Sequence, residues 1–158
     1  MNRKVIAMLG AAVLLFTIVG TPAAQDQPAD NMDLVKQKVR TDKKLFIAEN
    51  MELTAEQAAA FWPVYESYQA ELEKNFERMA KLIELYAANY ETLTDEMAKK
   101  IVNEWFDIEE KELKLRKSYL PKFRKVLPEI KVARYFQLEN KITAIVDYAM
   151  AANIPLFK

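Results

Sequence analysis

The sequence contains no cysteine and no histidine, and its two glycines, Gly10 and Gly20, both lie in the apolar N-terminal stretch. Each absence excludes something. Without thiolate or imidazole there is no cysteine nucleophile, no imidazole base and no zinc or di-iron site built on those ligands. Without glycine beyond residue 24, few positions can take a positive φ, so tight turns and β-hairpins are disfavoured. Long helices joined by short, helix-compatible connections are expected instead. The only serines are Ser67 and Ser118, and no histidine exists to activate them, which argues against a serine hydrolase. The inventory offers a binding surface and little catalytic chemistry. No enzyme activity, no metal and no cofactor is expected.

What is present begins with Asn2-Arg3-Lys4, an apolar run over residues 5–19, and then Gly20-Thr21-Pro22-Ala23-Ala24. Charged, apolar and small residues in that order form the pattern of a secretory signal peptide over 1–24, cleaved after Ala23 or Ala24. The apolar run is shorter than the ~20 residues needed to span a bilayer, so no stable membrane anchor is expected. No cysteine follows it to carry a lipid. The mature chain is therefore expected to be exported and soluble, in the periplasm where an outer membrane exists. Losing Arg3 and Lys4 leaves 21 of the 23 basic residues against 23 acidic ones. About 134 residues then remain, enough for one domain whose core rests on packing without disulfides.

Residues 25–30 are polar, carry Pro28, and read as a flexible leader; 31–158 read as a single all-helical domain. From Asn31 to Glu49 the residues Leu34, Val35, Lys38, Leu45 and Phe46 suggest a first amphipathic helix. The second has the clearest start. Thr54 as N-cap and Gln57 three residues on form a capping box, with Leu53 placed to staple onto Ala58. Apolar residues then recur at Ala58, Phe61, Tyr65, Tyr68, Leu72, Phe76, Met79, Ile83, Tyr86 and Tyr90, at intervals of three and four. To Asn89 the stretch is ~50 Å long, and Pro63 inside it is expected to kink it. Thr94 starts a third helix, although Met97 cannot complete a box. Its stripe runs through Ile101, Trp105, Ile108, Leu113, Leu120 and Phe123, and Pro121 is expected to kink or end it. Pro128 opens the last helix, whose stripe of Val132, Tyr135, Leu138, Ile142, Ile145 and Ala149 stops near Asn153 before Pro155. The fold class is all-α: four helices, two of them long and kinked, with no strand signal.

Three clusters could carry function. The acidic run Glu104, Asp107, Glu109, Glu110 and Glu112 lacks the histidines that usually complete a carboxylate metal site in a bundle, and Lys111 and Lys114 lie at pairing distance, so a solvated face is expected. From Lys111 to Arg134 there are nine basic residues and two acids, with Tyr119, Phe123 and Tyr135 interleaved. Phosphate neutralisation with base stacking is what such a pattern does in nucleic-acid binding. Export and the slightly negative mature charge argue against a nucleic acid, and the pattern suits an acidic partner or a solvated face. Phe61, Trp62, Tyr65 and Tyr68 cluster around Pro63 as core aromatics, with Trp62 one position off the stripe and therefore the best candidate for an exposed contact. The scattered methionines fit core filling rather than soft-metal binding.

The string Leu53-Thr54-Ala55-Glu56-Gln57 has the form LTxxQ, and an exported all-helical chain of this size carrying it resembles the Spy/CpxP family of periplasmic stress proteins. The resemblance covers about 43–139. Where that family usually repeats the motif, this chain has Val126-Leu127-Pro128-Glu129-Ile130-Lys131, keeping Leu and Glu and losing Thr and Gln. The resemblance implies kinked helical hairpins paired as an antiparallel homodimer, a thin cradle whose basic and apolar concave face holds unfolded clients without ATP. Some relatives instead inhibit a sensor kinase. Others sense metals, from which the missing histidines set this chain apart.

These readings converge on an ATP-independent periplasmic chaperone or envelope-stress accessory protein that captures partly folded clients. The alternative is a dedicated adaptor or inhibitor binding the periplasmic domain of one membrane sensor or envelope protein. In the first reading Lys36, Lys43, Arg78, Lys81, Arg116, Lys117 and Arg124 attract the client. Trp62, Phe106 and Tyr119 then supply apolar contact. Capture is expected to weaken as salt rises.

Overall fold

The computed structural model describes the backbone from Ala29 to Phe157 and the side chains from Gln37 onward. The signal-peptide reading of 1–24 and most of the proposed leader lie outside the described residues. Those residues are all-α, with four α-helices and no strand among them. They comprise α1 (Ala29–Met51), α2 (Ala55–Asn89), a short 3₁₀ turn (Tyr90–Thr92), α3 (Asp95–Val126) and α4 (Glu129–Asn153). Helix α1 begins two residues before the expected Asn31, so Ala29 and Asp30 are helical rather than part of a leader. Alanine is the best helix former, which suits Ala29 at the start of the helix.

The chain falls into two compact units. One is Leu53–Val132 with Phe157; the other combines the described residues up to Glu52 with Ala133–Leu156. The first is a helical hairpin. Its start is the capping box read from the sequence: Gln57 N donates to Thr54 Oγ1 at 3.2 Å, and Thr54 N donates to Gln57 Oε1 at 3.1 Å. Thr94 caps α3 in the same way, accepting from Met97 N at 3.3 Å. Between the helices Asn89 Nδ2 donates to Leu85 O and the 3₁₀ turn reverses the chain without a glycine.

Aromatic rings join the two helices. Phe61 meets Phe123 at 5.8 Å between centroids, Tyr68 meets Tyr119 at 5.2 Å and Phe123 at 5.8 Å, and all four are buried. Partners that descend along α3 as they ascend along α2 define an antiparallel pair, and the same register sets Pro63 level with Pro121. Both prolines are exposed, and both helices continue through them, so Pro121 does not end α3. A proline inside a helix costs about 3 kcal/mol. Each is flanked by buried rings two residues away on both sides, Phe61 and Tyr65 or Tyr119 and Phe123. At about 1.5–3 kcal/mol per buried side chain, this packing offsets the broken backbone bonds.

In the second unit α1 contributes Ile47 and Met51 and α4 contributes Tyr135 and Leu138 as buried side chains. Leu45, one of the residues that suggested an amphipathic helix, is exposed and Phe46 is half-buried; the inward line runs through half-buried Lys43 and buried Ile47 and Met51 at four-residue steps. Lys43 Nζ lies 2.9 Å from Glu139 Oε2, in an ion pair whose carboxylate is nearly sealed from solvent. Helix α1 ends at Met51, and Glu52 after it has a φ of 49°, the left-handed conformation usually given to glycine there. The carboxylate is held at both oxygens by Arg134, at 2.8 and 3.2 Å. With no glycine available, a charged residue takes that conformation, at a cost of about 1–2 kcal/mol.

Candidate functional site

Along α3 the line Ile101, Ile108 and Tyr119 faces inward and is buried. Val102, Trp105, Phe106, Glu109 and Leu113 lie on one broad side of α3, turned away from that line by roughly 40° at Trp105 to roughly 140° at Phe106. They form a second stripe, and its apolar members stay exposed. Phe106 is 62% and Trp105 48% exposed, with their rings stacked at 6.1 Å and nearly parallel. Leu113 and Val102 are also exposed, as are Phe76 and Leu85 on α2. Leu85, Leu82 and Ile101 line a shallow open groove with Lys100, Asn103 and Glu104. Trp105, Leu113, Phe76 and, on α4, Ile145 were expected in the core and are surface residues. A helix with a single neighbour buries only the part of its apolar arc facing that neighbour.

The residues expected to bind a client are distributed unevenly. Phe106 is exposed as required. Tyr119 is not: it is 7% exposed and packed on Tyr68 and Phe123, with Lys122 Nζ 3.7 Å above its ring. It shares the inward line with Ile101 and Ile108, so its ring serves the hairpin core and offers no contact surface. Trp62 is half-buried, edge-on to Phe61 at 5.0 Å and Tyr65 at 5.2 Å.

Four of the seven candidate cations are engaged with carboxylates. Arg78 donates to Glu104 Oε1 at 2.5 Å and Asp107 Oδ2 at 2.8 Å, bridging α2 and α3. Arg116 pairs with Glu112, Arg124 holds Glu129 through Nε and Nη2, and Lys43 pairs with Glu139 in the other unit. Lys81 and Lys117 are exposed on the hairpin. Lys36 lies on α1, where its side chain is outside those described. The motif residues Thr54 and Gln57 are used by the cap, and Leu53 is half-buried beside it.

The acidic run forms an ionic surface. Glu104 and Asp107 take Arg78; Asp107 also accepts from Lys111 at 2.8 Å, and Glu110 pairs with Lys114. Hydrogen bonds from Lys111 and then Arg78 hold the Asp107 carboxyl below its ordinary range, and Arg124 does the same for Glu129. The same contacts raise the pKa of both guanidinium groups. Among the described residues no group of three or more acids is placed to hold a metal ion, and no helix is long and apolar enough to cross a membrane.

No family model, curated protein or solved structure matches the chain. Its chemistry must therefore be read from its own surface: an exposed stacked aromatic pair and neighbouring aliphatics, set among charges that are largely neutralised in place.

Proposed function

We propose that this chain is an exported, ATP-independent chaperone or envelope-stress accessory protein that holds partly folded clients. The observation that carries the reading is the Trp105–Phe106 pair, stacked and exposed within the stripe from Val102 to Leu113. Large apolar side chains kept in water on a well-packed helix mark an interaction surface. Non-directional apolar contact is also what a protein needs to accept varied, partly folded partners. The local ion pairs supply a hydrated border that limits self-association without directing the choice of client. The LTxxQ string supports the Spy/CpxP resemblance and, with it, the periplasmic location and a homodimer. The signal-peptide pattern supports export.

One feature favours the narrower alternative. Two adjacent aromatics concentrated at one place are also the anchor expected for a dedicated partner, such as the periplasmic domain of a membrane sensor. A single experiment separates the readings. The mature chain from Gln25 is mixed with chemically denatured client proteins of unrelated sequence, without nucleotide, and aggregation is followed by light scattering. Suppression across clients at near-equimolar ratio, weakened in Trp105→Ala and Phe106→Ala, supports the chaperone. No suppression rejects it and directs cross-linking toward one envelope partner. Repeating the assay at low and high salt assigns the attraction. Loss at high salt identifies steering by exposed lysines such as Lys81 and Lys117, whereas salt-insensitive capture assigns it to the apolar stripe.

A further inference from the structure

A heptad seam runs along the outer side of α3. Val102, Phe106, Glu109, Leu113, Arg116 and Leu120 follow at alternating steps of four and three, the roughly 3.5-residue period of a helix that packs lengthwise on another. They are turned roughly 60° to 140° from the inward line of Ile101, Ile108 and Tyr119, and the seam is about 27 Å long. Val102, Phe106 and Leu113 are exposed, and Leu120 is half-buried. The two polar members differ. Arg116 is held by Glu112. Glu109 is exposed and forms no ion pair among the described residues. Glu104, Asp107, Glu110 and Glu112, from the same acidic run, are each met by a lysine or an arginine.

We propose that this seam docks an amphipathic helix of a client, about five turns long, whose apolar stripe carries one lysine or arginine opposite Glu109. The proposal rests on the client-capture reading and names the class of segment held. Backbone, spacing and charge together select that occupant. Over 102–120 the backbone amides bond within α3, so an extended client segment finds no ladder to join, whereas a helix brings its own hydrogen bonds. Apolar residues on one face of a facing helix recur about every 10.5 Å, as Phe106 and Leu113 do; those on one face of a strand recur about every 6.7 Å. An unpaired carboxylate inside an apolar seam favours a cation across it and penalises an acid or a leucine there, which fixes the partner's register as well as its sign. A second copy of α3 does not meet that requirement. In a parallel, in-register pair Glu109 faces itself, and in an antiparallel pair it faces Phe106, Leu113 or Leu120.

The test titrates the chain from Gln25 with amphipathic heptad peptides of about twenty residues, identical except for Lys, Gln or Glu at the centre of the apolar stripe, and follows binding by isothermal calorimetry. A fourth peptide keeps the lysine and carries a mid-chain proline that breaks the helix. The lysine peptide should bind about fivefold tighter than the glutamate peptide, with glutamine between, and Glu109→Lys should invert the order. Phe106→Ala should weaken the lysine peptide about tenfold, with far-UV circular dichroism unchanged in both variants. Equal affinity for the lysine and glutamate peptides, or undiminished binding of the proline peptide, would overturn the helix seam; suppression of client aggregation then leaves the chaperone reading intact. The expected peptide order without any suppression of aggregation rejects the chaperone reading and keeps the seam. Sedimentation of the peptide-free chain covers the remaining occupant: a dimer that Phe106→Ala dissociates would assign the seam to a second copy and overturn the proposal.

Discussion

Replacing Lys43 by methionine should destabilise the protein far more than its place on a polar helix suggests. Lys43 Nζ and Glu139 Oε2 are 2.9 Å apart, and the two side chains are 17% and 5% exposed. At that distance the attraction is about 6 kcal/mol for an effective dielectric of about 20, against a desolvation penalty of several kcal/mol per ion. The intact pair thus contributes little net stability, but losing one member leaves a carboxylate stranded. Removing a partner from a fully buried pair costs about 3–5 kcal/mol. Lys43 keeps some solvent access and Glu139 has further interactions, which brings the expected loss to about 2–3 kcal/mol. Met keeps the length and apolar stem of lysine, so packing is nearly conserved. The double variant Lys43→Met/Glu139→Leu removes both charges and should lie within about 1 kcal/mol of the parent, because no group is then stranded. Urea denaturation followed by far-UV circular dichroism measures all three, and the double-mutant cycle should return a coupling of about 2 kcal/mol. A Lys43→Met variant within about 0.5 kcal/mol of the parent would refute the reasoning, since that is the behaviour of an exposed pair.

Other consequences follow from the same geometry. Thr54→Ala removes the oxygen that accepts from Gln57 N and should cost about 1 kcal/mol in denaturant unfolding, whereas Thr54→Ser should be nearly neutral. Phe123→Ala empties the aromatic core and should cost about 3–5 kcal/mol, while Phe106→Ala on the surface should stay within about 0.5 kcal/mol and reduce client capture instead. Asp107 and Glu129 have folded-state pKa values lowered from 3.8 and 4.5, so the stability they contribute is present above those values and lost as pH falls through the lowered ones. The thermal midpoint should therefore drop on acidification below about pH 4. Arg124→Ala should flatten that decline, and Arg78→Ala should flatten it less because Lys111 still holds Asp107.

The starts of α2 and α3 and the end of α4 were readable because they are set locally, whereas α3 runs on through Pro121 to Val126. A threonine hydroxyl finds an amide three residues away in any surroundings, and a proline after Asn153 stops a helix by its own geometry. The buried half of each stripe was readable for the same reason, since the 3.6-residue period puts Phe61, Tyr65, Tyr68 and Leu72 on one side. The width of the buried arc was not. Trp105 and Leu113 widen the apolar arc of α3 beside Ile108, and nothing along the chain says whether a second neighbour covers them.

By itself, then, the sequence determined the helical class, the caps and the absence of glycine-dependent turns, all of which follow from interactions a few residues long. The tertiary structure decided which apolar residues face water and which cations keep a field. Tyr119 went inward because the hairpin register set it against Tyr68, and Phe106 stayed outside because α3 meets α2 along one line only. Arg78 lost much of its reach because that register brought Glu104 and Asp107 to it from 26 and 29 residues away. Burial and pairing depend on what arrives from elsewhere in the chain, and periodicity carries no record of it.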